Sequence, residues 1–554
     1  MAVVINGTTG IDKVQDDSVD IADLSATGSP SSSTYLRGDN SWATAGGATS
    51  INGLSDAVTS ADNNIGLGSG AVDSITTGDQ NTGLGVNALT ANTEGSENVA
   101  VGSLALDANT TGSTNVAVGN QALSANTTAS NNTAVGQASM ANNTTGANNT
   151  AMGRSAMAAN TTGANLVAVG MNALAANTTA NTNVAVGKDA LTANTTGEGN
   201  IAVGFQALRD AITVTGNTGV GYKALINTTA ASNTAIGYAA LQENISGTNN
   251  VAVGVNALDA NTSAPHNTAI GGSALGATTT GNQNTAVGAD CAAANTTGTY
   301  GTFVGKRAGY GNTTGNYNTT VGMESGYSLG PGGSNTLIGY RAGRSIVGDG
   351  AAGGVNNVCI GNAAGYDTNA ITGGRWNIII GDFARGQGGN YEAETVIGYN
   401  VGGGAENRFT FGRNTDDTAC TFGSTSWSAP SDERYKKDIV TSTAGLSFVN
   451  DLRPITHKWK NEGDLPSDHN AYVEGSTNVY NNKTQTYHGF VAQEVKAAID
   501  AHSEIKDGFD LWDVDRDGRQ RIADGALMPI LIKAIQELSA QNTALAARIT
   551  TLEG

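Results

Sequence analysis

Asn115-Val116-Ala117-Val118-Gly119, then Leu123 and Ala125-Asn126-Thr127-Thr128, is one unit of a pattern that fills most of this 554-residue chain. Units begin at Asn81, Asn98, Asn115, Asn132, Asn149, Leu166, Asn183 and Asn200, each 17 residues after the last. The register slips by one residue over Asn217–Ser232 and resumes at Asn233, Asn250, Asn267, Asn284 and Gly301. From about Asn335 the spacing loosens, although Ile338-Gly339 and Ile360-Gly361 keep the end of the motif. A fixed period of this kind means stacked coils that bury their faces against one another.

Each coil must be mainly β. Val-Ala-Val and Thr-Ala-Val alternate with period two, and Gly and Asn-Thr-Thr are turn formers. Ala-Leu-x-Ala-Asn is too short to nucleate a helix alone. At roughly 3.3 Å per residue one unit traces about 55 Å, enough for two short strands and two turns. Coils stacked at about 4.8 Å would make a shaft on the order of 100 Å long. The recurring corner Asn can form an amide ladder, and the Gly after the strand marks a bend or a close backbone approach. The reading places one Val and one Leu inside each coil, with Ala and Gly filling the rest. So thin a core favours packing three rolls around an axis, and the expected assembly is a parallel homotrimer. The pattern resembles the head repeats of trimeric autotransporter adhesins over about residues 64–340, and that resemblance implies a left-handed parallel β-roll.

Composition narrows the function classes. There are 76 Gly but only 9 Phe and 5 Trp, too few large apolar groups for a globular core of this length. The net charge of −19 argues against duplex nucleic acid as a partner. Cys291, Cys359 and Cys420 show no CxxC and no metal spacing, so free thiols in a reducing compartment are expected. No cofactor and no metal is expected. Met1-Ala-Val-Val-Ile-Asn-Gly7 lacks the basic region and apolar run of a secretory signal. No stretch of 18 apolar residues occurs, so no membrane insertion is expected. The Thr-Thr pairs fall in an expected turn, and Gly or Ala follows them at irregular places, which argues against ice binding.

Two regions flank the repeats. Residues 1–62 contain Thr34-Tyr35-Leu36-Arg37-Gly38-Asp39-Asn40-Ser41-Trp42-Ala43, which resembles a phrase common near the start of phage tail-fibre proteins. The resemblance implies a virion-attachment segment that joins the tail or baseplate. Arg37-Gly38-Asp39 reads as a tight turn rather than an integrin ligand. Residues 63–334 form the shaft. Residues 335–430 gather aromatic rings and arginines, among them Trp376, Arg385 and Tyr391. Rings with bidentate donors suit contacts with a host surface glycan or protein receptor, and a cap on the shaft fits them equally well. Asp382 and Glu392 are the carboxylates a glycan-cleaving site would use there.

Ser431-Asp432-Glu433-Arg434-Tyr435-Lys436-Lys437-Asp438-Ile439 begins a different polymer. Locally it reads as a helix start, with Ser431 as N-cap and acids in the first turn. A Ser with a Lys five residues later, at such a junction, also reads as a cut site. The chain beyond predicts a compact α+β unit: a helix over Thr443–Leu452, a strand over Pro454–Trp459, a strand-to-helix run over Tyr487–Val495, and a hairpin from Leu511–Val514 to Arg519–Ile522. Asp513, Asp515, Asp517 and Gly518 imitate half of a calcium loop, but Gln520 and Asp524 break the pattern and the hairpin is preferred. Leu531, Leu538, Leu545 and Leu552 with Ile535, Asn542 and Ile549 make a heptad helix over 527–552.

The first motif, then Leu452-Arg-Pro454, Lys458-Trp459-Lys460 and His488-Gly-Phe-Val-Ala-Gln-Glu-Val495, then the heptad helix, resemble the intramolecular chaperone domain of phage tailspikes and fibres. That family is the peptidase S74 or endosialidase chaperone family, and the resemblance spans 431–554. It implies a domain that trimerises, guides folding of an upstream β fibre and then cuts itself off. Ser431 and Lys436 occupy its reacting positions, so Pro430–Ser431 is the expected bond. Lys436 serves as base only when neutral, which partial burial and the neighbouring cations Arg434 and Lys437 favour. The fold class expected is therefore a mainly β fibrous homotrimer, a stacked parallel β-roll shaft with a C-terminal α+β chaperone domain ending in a trimeric coiled coil. The function expected is a tail fibre or spike, made in a host cytoplasm and carried on a virion tail. It turns over no external substrate and acts once on itself as a serine-lysine auto-endopeptidase. A bacterial or prophage-derived adhesin with the same chaperone and a polysaccharide depolymerase are the rivals.

Overall fold

A computed structural model of the chain describes residues 63–554 apart from 349–352, 367–373, 387–388, 425–432, 434–435, 469–470, 481–483, 506–509 and 515–518. It adds the backbone of three short strands, Thr34–Leu36, Trp42–Thr44 and Ala57–Thr59. These strands apart, the attachment segment expected over 1–62, with Arg37-Gly38-Asp39, lies outside the described residues. The chain divides into two compact units, Met1–Pro430 and Ser431–Gly554.

The first unit is a parallel β-solenoid. From Ile65–Leu67 to Thr395–Tyr399, twenty strands pair in line, each with the strand of the next coil. The pairing is in register, as in Val116↔Thr133, Ala117↔Ala134 and Val118↔Val135. Residues 335–413 continue the same ladder through longer coils: Asn357 follows Asn335 by 22 residues and Asn377 follows Asn357 by 20. The stack ends in an antiparallel hairpin of Arg408–Arg413 with Asp416–Thr421.

Two expectations about the coil are corrected. Each coil holds one three-residue strand, not two, and the remainder is a run of turns. The interior also takes the alanine of the strand, not the valine. Ala117 is fully buried while Val116 and Val118 stay half-exposed on the outer face. The inner lining is Ala117, Ala122, Leu123, Asn115 and Asn126. The reason is width. At Gly219, a middle strand position, a Cβ would already lie 3.2 Å from Leu208 Cγ, so a Val there would overfill the coil.

The turns are left-handed at fixed places. Gln121, Leu123 and Asn131 have φ of 58°, 53° and 62°. Each non-glycine residue in that region costs about 1–2 kcal/mol. Burial of the Leu and bonds to the next coil offset the cost: Leu123 N donates to Ser139 O at 3.0 Å and Ala125 N to Ala141 O at 2.9 Å. Gly119, at φ +134°, could carry no side chain, because its Cβ would stand 2.6 Å from the Gly136 carbonyl.

Ladders satisfy most buried asparagines; Asn194 Oδ1 and Asn261 Oδ1 lack a partner among the described residues, where the next coil has Ala211 and Thr278 in the asparagine's place. Asn115 donates its backbone N–H and its Nδ2 to Asn98 Oδ1 at 2.9 and 3.1 Å, and Nδ2 also reaches Ala129 O at 2.9 Å. A second file runs through Asn126, whose Nδ2 donates to Asn109 Oδ1 at 2.8 Å and to Ala129 O at 3.0 Å. Thr127 Oγ1 donates to Thr144 O at 3.2 Å. Each coil thus presents the next with matching donors and acceptors.

The interior inverts at the coil beginning at Gly301. Phe303, Leu337, Cys359, Ile379 and Val396 now take the buried middle strand place, with Thr320 in the coil of Gly326. Opposite them the turn leucine becomes Gly309, Gly326, Gly343 and Gly365. A Cβ on Gly309 would lie 2.2 Å from Phe303 Cδ1, and one on Gly365 2.6 Å from Cys359 Sγ. Large and small have exchanged sides at constant width. Cys291 and Cys359 are free, and burial pushes both thiols up to about 12, which leaves them inert.

The second unit has an ordinary small core. Helices α1 (Leu446–Asp451), α2 (Ala492–Ala501) and α3 (Met528–Glu553) meet two antiparallel pairs, Ile455–His457 with Tyr487–Gly489 and Trp512–Val514 with Gln520–Ile522. Phe448, Val495, Ile499, Leu511, Leu527 and Ile530 form the buried cluster. Asp515, Asp517 and Gly518 lie outside the described residues. Among the described residues no helix is long and apolar enough to cross a membrane.

Candidate functional site

The second unit starts where the cut is expected, but Pro430 and Ser431 lie outside the described residues. Lys436 is described. Its N–H donates to Glu433 O at 3.0 Å, a turn rather than a continuing helix. Lys436 to Thr443 is non-helical and exposed in the single chain, Val440 at 85%. The burial expected around the Lys436 amine is therefore not present within one chain.

The other motifs come together on one ribbon. Thr456 pairs with His488, so the strand before Lys458-Trp459-Lys460 lies beside the strand of His488-Gly489. Trp459 packs at 5.7 Å from both His457 and Tyr480. Arg453 of the Leu-Arg-Pro motif then grips Glu494, with Nε donating to Oε2 at 2.8 Å and Nη2 to Oε1. That fork holds the Glu494 carboxyl below its usual range. Lys436, Arg453, Lys458, Trp459, His488, Gln493 and Glu494 are all exposed. The motifs thus put Val495 into the core, with Leu452 and Phe490 against it, and turn their polar residues outward.

Two further contacts were not read from the sequence. Glu537 Oε2 accepts the Leu446 N–H at 2.8 Å, so a carboxylate on α3 caps the start of α1. The Leu446 N–H is the main reason the Glu537 carboxyl is held low. His502 stands between Asp451 and Glu504, with Nε2 to Oδ2 at 2.8 Å and Nδ1 to Oε1 at 2.9 Å. Its hydrogen bond to Asp451, then that to Glu504, raises the imidazole above its ordinary value. His502 stands just past the end of α2, and Glu537, inside α3, carried no sequence signal.

The residues marked for surface contacts separate. Trp376 is 52% exposed and Tyr391 38%. They share a corner: Arg375 lies 4.3 Å over the Trp376 ring and pairs with Glu392 at 2.8 Å, and Asn377 Nδ2 donates to Tyr391 O. Arg385 sits elsewhere on the coil, donating from Nη2 to Asn400 Oδ1 at 3.1 Å. Among the described residues no contact joins Asp382 to Glu392, the pair a glycan hydrolase would need.

Comparison with known proteins bears on the second unit. Residues 431–503 match the family model for peptidase S74, described as the chaperone of endosialidase. A search among curated proteins finds no match. Residues 431–503 are thus similar to the chaperone-of-endosialidase family, and in the chain they follow a parallel β-solenoid, an order that fits a tail fibre or spike.

Proposed function

We propose that the chain is a trimeric phage-type tail fibre or spike whose C-terminal unit directs assembly and then severs the Pro430–Ser431 bond. The observation that carries this is positional. The family match begins at Ser431, and the two compact units divide between Pro430 and Ser431. Residues 1–62 would hold the virion tail, and the corner of Trp376 and Tyr391, with Arg385 further along the coil, would meet a host surface glycan or protein. Synthesis would take place in the host cytoplasm.

Ser431 Oγ attacks the Pro430 carbonyl carbon through a five-membered ring. The peptide C–N bond breaks, an ester forms, and water hydrolyses it to a Pro430 carboxylate and the free Ser431 hydroxyl. Neutral Lys436 takes the Oγ proton and returns it to the departing nitrogen. Because Lys436 is exposed in one chain, a neighbouring chain would supply its enclosure, and cleavage then reports a completed trimer.

Expression of wild type, Ser431→Ala and Lys436→Ala, followed by intact mass measurement, tests this. Wild type should yield a fragment ending at Pro430, and both variants should stay whole with unchanged β circular dichroism. Cleavage of Ser431→Ala at the same bond would overturn the mechanism.

A further inference from the structure

Glu324, Arg341 and Arg344 make a charge arrangement with no second example among the described residues of the solenoid. Arg341 Nε donates to Glu324 Oε2 at 2.9 Å, and Arg344 Nε donates to the same oxygen at 3.0 Å. The Glu324 side chain is 16% exposed. Burial works against its charge, yet the two arginine bonds outweigh this and hold the carboxyl below its ordinary range. Elsewhere an arginine spends its fork on one acid: Arg209 gives Nε and Nη2 to the two oxygens of Asp210 at 2.7 and 2.6 Å. At Glu324 two guanidiniums share one acceptor, so a positive charge is left over. Among the described residues no hydrogen bond takes the Nη atoms of Arg341 or Arg344.

Both side chains are also held in place. Arg344 lies between two rings, 4.9 Å from Tyr327 and 5.8 Å from Tyr366. Arg341 lies 4.9 Å over Tyr340. Tyr327 in turn stacks on Tyr310 at 5.0 Å and 10° from parallel. Tyr310, Tyr327, Arg344 and Tyr366 take the same place, the fifth residue after the strand glycine, in four successive coils. An arginine loses rotamer freedom when it grips a ligand, and here Glu324 and the rings have already removed it. With Nε pinned and the faces stacked, the Nη edges remain. Those edges carry the donors that match the oxygens of a carboxylate or a phosphate.

We infer that Arg341 and Arg344 form a binding site for an acidic glycan, gripping a carboxylate or phosphate group of a sugar with their Nη edges. The tyrosine file beside them advances in rows about 4.8 Å apart. An extended peptide repeats its side chains on one face at about 6.6 Å and falls out of step with those rows. A glycan bears hydroxyls on every unit and meets the tyrosines row by row. The site is separate from the corner of Trp376 and Tyr391, because Arg341 and Arg344 follow their strand while Trp376 precedes its own. Both arginines belong to one chain, so the site needs no second copy.

Retention of the full chain, kept whole by Ser431→Ala, on immobilised polygalacturonate and on phosphomannan tests this. The controls are the methyl-esterified and the dephosphorylated polymers. The parent should bind one acidic polymer at least about tenfold more tightly than its neutral form. Arg341→Ala with Arg344→Ala should lose that preference at unchanged β circular dichroism. Arg344→Lys keeps the charge without the planar fork and should bind at least about fivefold more weakly, which decides the matter should the double variant misfold. Equal binding to acidic and neutral polymers, or full binding by Arg344→Lys, overturns the site. An equal loss in Arg154→Ala, an exposed arginine of an earlier coil, marks general charge attraction and overturns it too. Polyglutamate bound as tightly as the glycan overturns the ligand class.

Discussion

Coils before Gly301 and coils after it solve one packing problem in opposite ways. Before, the strand contributes Ala117 or Ala185 and the turn contributes Leu123 or Leu191. After, the strand contributes Phe303, Leu337 or Ile379, and glycines such as Gly309 and Gly343 clear the space. The width is held by the backbone ladder and the second asparagine file, which pass through the change: Asn312 Nδ2 donates to Asn295 Oδ1 at 2.9 Å, while the corner file is interrupted at Gly301, whose N–H still donates to Asn284 Oδ1 at 2.8 Å. The difference teaches that the apolar residues of the interior answer to volume, since large and small can trade sides of the coil, while the buried asparagines answer to their hydrogen bonds. The outward third strand residue stays aliphatic in both regions, so the exchange inside does not set it.

The strongest way to break the comparison is to empty one coil. Phe303→Ala leaves a hole opposite Gly309, and the loss should be about 3–5 kcal/mol of local stability, read as faster hydrogen exchange in peptides spanning 300–312. Gly309→Leu overfills the same coil, and its cost should be about 1–3 kcal/mol by the same measurement. Both changes together recreate the earlier kind of coil and should cost under about 1.5 kcal/mol. A double variant no better than Phe303→Ala alone would show that the two regions are not interchangeable.

A smaller effect separates the second unit from the solenoid. His502 holds its second proton more tightly in the folded unit than its ordinary 6.5, chiefly through Asp451. Its contribution is thus full below about pH 6.5 and fades as pH rises through the raised folded value. Glu504 is lowered from 4.5, first by its own backbone N–H and then by His502, so its contribution is present above that pH and fades in stronger acid. Wild type should melt highest between about pH 4.5 and 6.5 in the transition of the second unit, and His502→Ala should flatten the alkaline side. The solenoid transition should not follow this dependence.

Much of this was legible in the sequence. The period and the corner asparagines announced stacked coils, and the motifs from Ser431 onward announced the chaperone. The facing of the strand was not legible. Val-Ala-Val alternates equally well with Val inside or Ala inside, and hydrophobicity favours the wrong answer. Only the turn leucine, held at φ 53° in Leu123, shows that the space is already filled. The left-handed turns themselves leave no propensity signal, because Leu and Gln rarely adopt that region. At the candidate site, the Ser–Lys spacing was readable but the exposure of Lys436 was not, since a short motif does not fix what packs over its side chains.

The proposed function rests on the assembly of three copies of this chain. Light scattering on the uncleaved Ser431→Ala chain measures this most directly. The account predicts a particle of three times 55.7 kDa at every concentration at which the β signal is native. A native, β-rich particle of 55.7 kDa would contradict it.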